Sequence, residues 1–338
     1  MSAGTSNWAI VGAAGYTAGE LCRLLLQHPH ARVTRAVSSS SAGKRVGDVH
    51  TNLRGLCDLP LSGELGDPSQ LDGVFLCLPH GESMGRVPAL LSAGPGLRII
   101  DLSADFRLKD ASLYPRWYGR EHAAPELLES FVYGLPELHR DELRGAARVA
   151  NPGCFATAVT LALLPMAGQV DQAAVTAVTG SSGSGARPSE RTHHPTRAAT
   201  MRAYRVLGHQ HTPEILQALG DRADLSFVPV SGPFVRGIYA TCLLALPAGL
   251  DRDRVVERYR AFYAAAPFVR LLDAPPDLQV VTGSNFCDLH VVVEGDRMVV
   301  VAAIDNLVKG AAGQAVQNLN LAMGWDEDAG LRLPGGYP

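Results

Sequence analysis

The sequence lacks any apolar run that approaches the roughly 18 residues needed for a helix to cross a bilayer. Its first residues, MSAGTSNWAIVG, contain neither the basic segment nor the long apolar segment of a secretory leader. These two absences predict a cytoplasmic protein that has no membrane partner.

An excess of charge of either sign is also missing. Lysine and arginine together number 30, aspartate and glutamate number 33, and the net charge is −3. Proteins that bind nucleic acid generally use a basic field to attract phosphates, so this balance argues against a nucleic-acid partner.

Paired cysteines are absent as well. The six cysteines, at positions 22, 57, 77, 154, 242 and 287, form no CxxC pair. This spacing indicates neither a zinc site nor a compact disulfide framework. We interpret all of them except Cys154 as buried, inert thiols.

The composition is that of a folded protein with many loops. The chain has 338 residues, of which 46% are hydrophobic and 19% charged, and this excludes disorder along its whole length. The length predicts two domains. The 35 glycines and 22 prolines exceed the usual share and predict abundant loops.

Strand-like and helix-like patterns alternate in the first part of the chain, which predicts a parallel sheet with crossover helices. The apolar runs are Trp8–Val11, Val33–Val37, Val74–Leu78 and Arg98–Leu102, and the helical patterns are Glu20–Gln27 and Glu82–Ser92. After about residue 150 strand-like runs follow one another with fewer helices between them, which predicts a largely antiparallel sheet. We expect the final helix, Ala311–Met323, to return to the first domain.

The turn after the first strand has the spacing of a dinucleotide-binding loop. Gly12, Gly15 and Ala18 stand where glycines would let a backbone approach a pyrophosphate at a helix N-terminus. A tight turn without a ligand is the alternative. Four serines, Ser38–Ser41, follow the second strand in place of the acidic residue that holds a ribose hydroxyl. With Lys44 and Arg45 nearby, they favour NADP over NAD, unless they form only a solvated loop.

Cys154 begins an apolar helical pattern directly after Asn151-Pro-Gly. Unpaired N–H groups and the helix dipole stabilise a thiolate at that position, and a small residue packed in a turn is the alternative. Downstream, His209 and His211 open another helix and could shuttle protons near neutral pH or serve as structural caps. His-x-His could be half of a metal site, but no third ligand has a convincing spacing, so we predict no metal.

Candidate anion-binding residues lie around these motifs. Arginines at 187, 191, 197, 202 and 205 stand against the single acid Glu190, which favours an anionic substrate over a plain solvated face. Arg107 and Lys309 are further candidates for a phosphate or carboxylate, with ordinary ion pairs as the alternative.

Six ordered motifs together resemble N-acetyl-gamma-glutamyl-phosphate reductase. They are Gly12-Ala-Ala-Gly-Tyr16, Leu78-Pro-His-Gly81, Asp101-Leu-Ser-Ala-Asp-Phe-Arg107, Asn151-Pro-Gly-Cys154, His209-x-His-Thr-Pro-Glu-Ile215 and Asp305-Asn-Leu-Val-Lys-Gly310. The segments Asn52–Gly55, Ser189–Pro195 and Met323–Trp325 are more similar to the branch that reduces 2-aminoadipyl 6-phosphate carried on a small acidic amino-group carrier protein.

The resemblance implies NADPH-dependent reduction of an acyl phosphate to a semialdehyde, with phosphate release, in lysine or arginine biosynthesis. Its preferred substrate is carrier-linked 2-aminoadipyl 6-phosphate or glutamyl 5-phosphate, and N-acetyl-gamma-glutamyl phosphate is the alternative. More remote alternatives are aspartate-semialdehyde dehydrogenase, a non-redox NADP-binding protein and a cysteine hydrolase on the same scaffold.

The resemblance also assigns residues. Cys154 is the implied nucleophile, and His211 or His209 the proton relay. The implied cofactor-binding residues are Gly12, Ala13, Ala14, Gly15, Tyr16, Thr17, Ser38, Ser39, Ser40 and Asn306, and the candidate substrate-binding residues are Arg107, Asn151, Arg187, His193 and Lys309. Ala18 departs from the family's usual glycine, a change expected to shift helix packing without excluding the cofactor.

The expected fold is α/β. A Rossmann-like NADP-binding domain spans residues 1–150 with 309–338, and a mixed α+β domain spans 151–308 and supplies catalysis and the contact of a homodimer or homotetramer.

Overall fold

The computed structural model describes residues 5–220 and 224–337. The chain divides into two compact units. Unit 1 contains the described residues up to Pro152 together with Ala311–Arg332, and unit 2 contains Gly153–Gly310 and the residues from Leu333 onward. The predicted domain limits run close to this division, except that the structure groups the residues after Arg332 with unit 2. Residues 1–4 and 338 of the predicted first domain lie outside the described residues.

Unit 1 is built on a seven-stranded parallel sheet with the order β3-β2-β1-β4-β5-β7-β6. The strands are β1 (Ser6–Val11), β2 (Ala31–Val37), β3 (Leu61–Ser62), β4 (Gly73–Leu76), β5 (Arg98–Asp101), β6 (Val132–Tyr133) and β7 (Arg148–Ala150). The predicted Rossmann-like sheet is therefore confirmed. The strand order reverses between β1 and β4, and ligands of such sheets bind beyond the carboxyl ends of the strands at that point.

In the described part of unit 1, five α-helices lie between the strands. They are α1 (Tyr16–Leu25), α2 (Val46–Val49), α3 (Ser83–Ala93), α4 (Tyr114–Tyr118) and α5 (Pro136–Leu143). Helix α1 starts four residues before its predicted start at Glu20, directly after Gly15. Its apolar stripe, with Leu21, Leu24 and Leu25, is buried.

Unit 2 contains a second seven-stranded sheet, with the order β12-β13-β14-β11-β8-β10-β9. The strands are β8 (Gln172–Thr179), β9 (Arg202–Ala203), β10 (Asp224–Ser231), β11 (Ile238–Ala245), β12 (Val269–Leu271), β13 (Cys287–Glu294) and β14 (Arg297–Ile304). Among the described residues four neighbouring pairs are antiparallel, as predicted, and the β8–β10 and β12–β13 pairs are parallel. The long connection between β8 and β10 includes a helix, which gives the chain room for a parallel crossover.

The helices of unit 2 are α6 (Cys154–Leu163), α7 (His194–Arg197), α8 (Thr212–Leu219), α9 (Arg252–Tyr263) and α10 (Leu278–Val281). Helix α6 is buried along nearly its whole length and packs on β11 and β14, which explains its continuous apolar sequence. Sequence reasoning missed α9. Its charged residues obscure a narrow buried stripe formed by Val255, Tyr259 and Tyr263 at four-residue spacing.

The last helix, α11 (Gly313–Met323), belongs to unit 1 and packs against α1 and α5, as expected for the predicted final helix. A π-helical segment, Val308–Ala312, leads into it. Inside unit 1, Asn318 Nδ2 donates to the Gly134 carbonyl at 2.8 Å and to Asn151 Oδ1 at 3.0 Å. A side chain at Gly134 would collide with Asn318, since its Cβ would lie 2.3 Å from Nδ2.

Across residues 5–220 and 224–337, none of the helices combines the length and the apolar composition that a membrane crossing would need.

A buried carboxyl group ends strand β5. Asp101 is inaccessible to solvent and accepts hydrogen bonds from Ser83 Oγ and Ser103 Oγ, each at 2.7 Å. Burial, reinforced by the charge of Asp105, raises the pKa of Asp101 to about 6 in spite of these donors. The negative charge of Asp105 therefore adds to the effect of burial on Asp101 inside unit 1.

We predict that Asp101→Asn removes a pH dependence of stability. A raised native pKa means that the native state holds this proton more tightly than the unfolded chain, whose carboxyl has a pKa near 3.8. The stabilisation is complete below about pH 4 and is lost as pH rises through about 6, by up to about 3 kcal/mol. Urea unfolding from pH 4 to pH 8 measures this loss, and the amide variant should not show it. Asp110→Asn is the matched control, because hydrogen bonds from Ser112 lower the pKa of this exposed carboxyl and keep it ionised in that range. Equal slopes for wild type and Asp101→Asn would contradict the assignment.

Candidate active site

The glycine turn after β1 requires glycine at its first position. Gly12 has φ +88°, and a Cβ there would lie 2.3 Å from the Cys77 carbonyl oxygen. The N–H groups of Gly12 and Ala13 both donate to the Val37 carbonyl, at 2.9 and 2.8 Å. The turn is thus fixed to the ends of β4 and β2, where the strand order of the sheet reverses.

The helix N-terminus behind this turn is open to an anion. Gly15 is the N-cap of α1 and provides no side-chain cap. A Cβ on Gly15 would meet nothing closer than the Gly12 carbonyl oxygen at 3.8 Å, so a ligand could approach the backbone here. Helix α1 has 10 residues, and its first N–H groups, including those of Tyr16 and Thr17, are suited to a pyrophosphate.

The serine segment follows β2 on the same unit. Ser38 is buried and its N–H donates to the Ser62 carbonyl at 2.8 Å. Ser39 and Ser40 are exposed in a short 3₁₀ turn, with exposed Lys44 and Arg45 beyond it. Arg45 Nη1 lies 3.7 Å from Asp58 Oδ1, so this cation has an exposed acidic neighbour. The serine hydroxyl groups and the Lys44 ammonium group fit a ribose 2′-phosphate.

Cys154 is the first residue of α6, in unit 2. Its thiol is half-buried, and Gly153 before it is the N-cap without a side-chain cap. The Gly153 N–H donates to Glu214 Oε1 at 2.7 Å, and Glu214 is fully buried. The thiol therefore lies at the positive end of a 10-residue helix, which favours the thiolate and an oxyanion formed beside it.

The start of α6 packs directly against Gly310. A Cβ on Gly310 would lie 2.7 Å from Cys154 Cβ and 3.2 Å from its Cα. The Gly310 N–H donates to the Asp305 carbonyl at 2.9 Å. The segment that ends at Gly310 therefore contacts the cysteine backbone without any intervening side chain.

Both predicted histidines lie against the start of α6. Their rings are 4.7 Å apart between centroids, and the Phe155 ring, one residue after the cysteine, lies 5.4 Å from His209 and 6.1 Å from His211. Both side chains are more than nine-tenths buried. His209 Nδ1 accepts a hydrogen bond from the His211 backbone N–H at 3.1 Å. A neutral His209 ring therefore carries its proton on Nε2.

Tyr204 is a neighbour of this group that sequence reasoning missed. Its ring lies 5.7 Å from the His209 ring, edge to face. Burial and the negative charge of a Cys154 thiolate raise the pKa of Tyr204, partly offset by Arg205 and Arg197. Arg205 and Leu207 have φ of +45° and +58°, so the backbone is strained just after the tyrosine.

Glu214 is the second residue whose position could not be inferred from one motif. Its sequence signal is the Thr-Pro-Glu stretch after His211, which by itself indicates only a helix start. The helix α8 that begins there carries Glu214 to Gly153, whose N–H precedes the thiol by one residue.

Asn306 and Asp305 organise the loop before Gly310. Asn306 Oδ1 accepts the Gly237 N–H at 2.6 Å, and its Nδ2 donates to Ser182 Oγ at 2.9 Å. Asp305 is fully buried and paired with Arg236, with Nε to Oδ2 at 2.9 Å. A cofactor contact by Asn306 stays a prediction.

Two of the predicted substrate-binding residues are engaged inside unit 1. Arg107 is buried, and its Nε donates to the Asn151 carbonyl at 2.7 Å and its Nη2 to the Leu102 carbonyl at 2.9 Å. Asn151 is buried too, and its Nδ2 donates to the Ala311 carbonyl at 3.1 Å. These contacts hold the chain just before Cys154, and direct substrate contacts by either residue stay predictions.

The other three candidates differ in exposure. Lys309 is fully buried in unit 2, with Nζ 5.9 Å from the centre of the Phe268 ring. Arg187 and His193 are exposed in the segment between β8 and α8. Unit 2 thus brings Cys154, His209 and His211 together, while the glycine turn and the serines lie in unit 1.

The described part of the chain contains no group of three or more histidine, cysteine, aspartate or glutamate side chains arranged for a metal ion.

Two family models match the chain. The model described as semialdehyde dehydrogenase, NAD binding domain, matches residues 7–146. The model described as semialdehyde dehydrogenase, dimerisation domain, matches residues 154–306. The second match begins at Cys154.

Full-length relatives fall into two functional groups. The chain is 44% identical to a LysW-L-2-aminoadipate 6-phosphate reductase of Deinococcus radiodurans, over 100% of both chains. It is 46% identical to an N-acetyl-gamma-glutamyl-phosphate reductase of Methanopyrus kandleri, over 97% of this chain and 98% of that one. A LysW-L-2-aminoadipate/LysW-L-glutamate phosphate reductase of Saccharolobus solfataricus is 43% identical over 96% of each.

Solved structures share the fold at low identity. Aspartate semialdehyde dehydrogenase II of Vibrio cholerae has a TM-score of 0.71 at 18% identity, covering 94% of this chain and 98% of that chain. An aspartate semialdehyde dehydrogenase with NADP from Candida albicans has a TM-score of 0.68 at 16% identity, with the same two coverages. At such identities these likenesses show the fold alone.

We predict that Gly310→Ala slows alkylation of Cys154 at least about threefold. The added methyl would lie 2.7 Å from Cys154 Cβ, so the first turn of α6 must shift and its N–H groups lose their alignment with the sulfur. Iodoacetamide labelling followed by mass spectrometry of the Cys154 peptide measures the rate. Gly85→Ala is the matched control, because Gly85 is exposed in α3 and a Cβ there meets nothing within 4 Å. The control should keep the wild-type rate, and an unchanged rate in Gly310→Ala as well would show that the contact does not position the thiol.

Proposed function

The chain belongs to the phosphorylating semialdehyde dehydrogenase family, and we propose that it reduces an amino-group-carrier-linked acyl phosphate to the semialdehyde with NADPH. The proposed substrate is 2-aminoadipyl 6-phosphate or glutamyl 5-phosphate on the carrier protein. N-acetyl-gamma-glutamyl phosphate is the alternative substrate of the same chemistry, and relatives of the two kinds are 44% and 46% identical to this chain.

The observation that carries the chemistry is a thiol at an uncapped helix start beside two buried histidines. Cys154 has the helix N-terminus to stabilise its thiolate, and His209 and His211 contact the adjacent Phe155 ring. A thiolate is a good nucleophile for an acyl phosphate, whose leaving group is phosphate.

In the proposed reaction the Cys154 thiolate attacks the acyl carbon. The N–H groups at the start of α6 stabilise the negative oxygen that develops there, and phosphate leaves to give a thioester on Cys154. NADPH, when bound, supplies the hydride that reduces this thioester to a thiohemiacetal. A histidine donates a proton to the negative oxygen of the thiohemiacetal. It takes the proton back as the C–S bond breaks and the aldehyde leaves. His209 or His211 has this role.

The residues of unit 1 fit the cofactor. The glycine turn and the open start of α1 would hold the pyrophosphate, and Ser38–Ser40 would hold the 2′-phosphate. The open space at Gly15 supports this assignment, because no side chain of the turn occupies it.

We predict that Cys154→Ser lowers turnover at least about a hundredfold and leaves NADPH affinity nearly unchanged, because a serine hydroxyl is a far weaker nucleophile at neutral pH. The assay runs in reverse and follows NADPH formation from semialdehyde and phosphate. Cys57→Ser, a half-buried thiol of unit 1, is the control and should retain activity. Substantial turnover by Cys154→Ser would eliminate the thioester route. Phosphate release by wild type without NADPH would indicate a hydrolase instead, and NADPH binding without turnover would indicate a non-redox binding protein.

The carrier proposal rests on a basic, exposed segment of the catalytic unit. Residues 183–208 are nearly all exposed between β8 and α8. They contain five arginines, at 187, 191, 197, 202 and 205, and one acid, Glu190. Exposed Met201, Val206 and Leu207 add apolar surface. Such a surface suits an acidic protein, which it would attract and bind through rim contacts.

We predict that carrier-linked semialdehyde is oxidised with a higher kcat/KM than N-acetylglutamate semialdehyde and that only the carrier reaction weakens with salt. Arg191→Gln combined with Arg202→Gln, both exposed in this segment, should lower the carrier kcat/KM at least about threefold at low ionic strength and leave the free substrate unaffected. Steady-state rates at two ionic strengths measure both effects. Arg252→Gln with Arg260→Gln, exposed arginines on α9, are the charge-matched control. A preference for the acetylated substrate without salt dependence would favour the alternative function in arginine biosynthesis.

The proposal includes a homodimer or homotetramer. Alternate residues on one face of the unit 2 sheet are uncovered, and Leu243, Val299 and Val292 form an apolar row across β11, β14 and β13. Leu243 and Val292 are 43% and 41% exposed, which supports burial by a second copy.

A cytoplasmic location also belongs to the proposal. All six cysteines are free thiols, and the reaction needs Cys154 reduced, which suits a reducing compartment.

A further inference from the structure

Helix α1 contains a glycine that the cofactor-binding motif does not explain. The motif would place a glycine at position 18, where this chain has a fully buried alanine. Gly19 follows it, and a Cβ there would lie 2.5 Å from His50 Nδ1 and 2.8 Å from its Cε1. The imidazole of His50 therefore occupies the space that any side chain at position 19 would need.

The other ring nitrogen of His50 reaches the glycine turn. His50 Nε2 lies 2.8 Å from the Ala13 carbonyl oxygen, and since a carbonyl only accepts, Nε2 carries the proton. The Ala13 N–H donates in turn to the Val37 carbonyl at 2.8 Å. The Ala13 N–H is thus bonded to strand β2, and the Ala13 carbonyl is bonded to His50.

This contact sets the direction of a peptide group in the turn. A trans peptide is planar, so fixing the Ala13 carbonyl directs the Ala14 N–H to the opposite side, away from His50. In the described part of the chain the Ala14 N–H has no acceptor. It is therefore available to a phosphate, in line with the open approach at Gly15.

His50 is itself held firmly. It is 8% exposed, and its N–H donates to the Val46 carbonyl at 2.8 Å at the end of α2. Gly47, one turn earlier, packs against the backbone of Leu53, Arg54 and Cys57 at 3.1–3.3 Å from its ideal Cβ position. A side chain fixed in this way can hold the turn in one conformation.

We propose that His50, seated on the bare backbone of Gly19, is a positioning residue that presets the Gly12–Gly15 turn for the cofactor pyrophosphate. The inference rests on the proposed NADPH dependence. It assigns His50 no contact with substrate or with the reacting atoms. Losing it should weaken cofactor binding and spare the chemical step.

The test compares His50→Phe, His50→Gln and Gly19→Ala with wild type. NADPH Kd from fluorescence titration is the first readout, and KM for NADPH against kcat is the second. His50→Phe removes the hydrogen bond and should raise Kd roughly tenfold, while kcat at saturating NADPH stays within about twofold. His50→Gln should recover most of the affinity, because its amide N–H can take the place of Nε2–H. Gly19→Ala should resemble His50→Phe, because its methyl displaces the ring.

His28→Phe is the matched control. His28 is also 8% exposed and hydrogen-bonded, with Nε2 2.8 Å from Asn320 Oδ1, but it lies beyond the other end of α1. The His28→Phe variant should have a lower unfolding temperature and an unchanged Kd for NADPH. If His50→Phe and His28→Phe lower stability equally and neither changes Kd, the positioning role is wrong. If His50→Phe does not fold, Kd values for His50→Gln and Gly19→Ala equal to wild type overturn the inference. Wild type that fails to bind NADPH would reject the cofactor assignment and this inference together.

Discussion

The structure depends on contacts to the backbones of glycines that leave no room for a methyl group. Gly12 meets the Cys77 carbonyl, Gly19 meets the His50 ring, Gly134 meets Asn318, and Gly310 meets Cys154. In each case an ideal Cβ would lie within 2.3–2.7 Å of another atom. These are the points at which the cofactor turn, helix α11 and the cysteine helix are held in place. An added methyl group at these glycines would displace the neighbouring atoms, because a close-packed interior has no free space to accommodate it.

Much of the fold followed from local patterns. The apolar runs predicted β1, β2, β4 and β5, and the glycine turn predicted the helix after β1, because these signals lie within short segments. Helix α9 was missed because its buried stripe is narrow and its charges dominate the sequence. The parallel pairing of β8 with β10 was not foreseen either, since the choice of neighbour in a sheet depends on how a long connection returns.

The candidate site was predictable to the extent that its residues stand in motifs. A helix start indicates Cys154, and the His-x-His spacing indicates His209 and His211. Tyr204 has no such signal, and Glu214 stands in a stretch that indicates only a helix start. Only the folded chain shows that they lie beside His209 and Gly153. Arg107 and Asn151 donate hydrogen bonds to backbone carbonyls, and their motifs alone did not reveal these contacts.

Helix α11 has a consequence for the order of synthesis. It packs on α1 and α5, and its Asn318 bonds Gly134 and Asn151, yet about 160 residues of unit 2 separate it from Pro152. At translation rates of about 5–20 residues per second, the ribosome needs roughly 8–30 seconds to deliver it after unit 1's last strand. During that interval the faces of α1 and α5 that α11 covers in the folded unit lack this contact. Unit 2, which is contiguous apart from its short C-terminal segment, can reach its native core before unit 1 does, although it is made second.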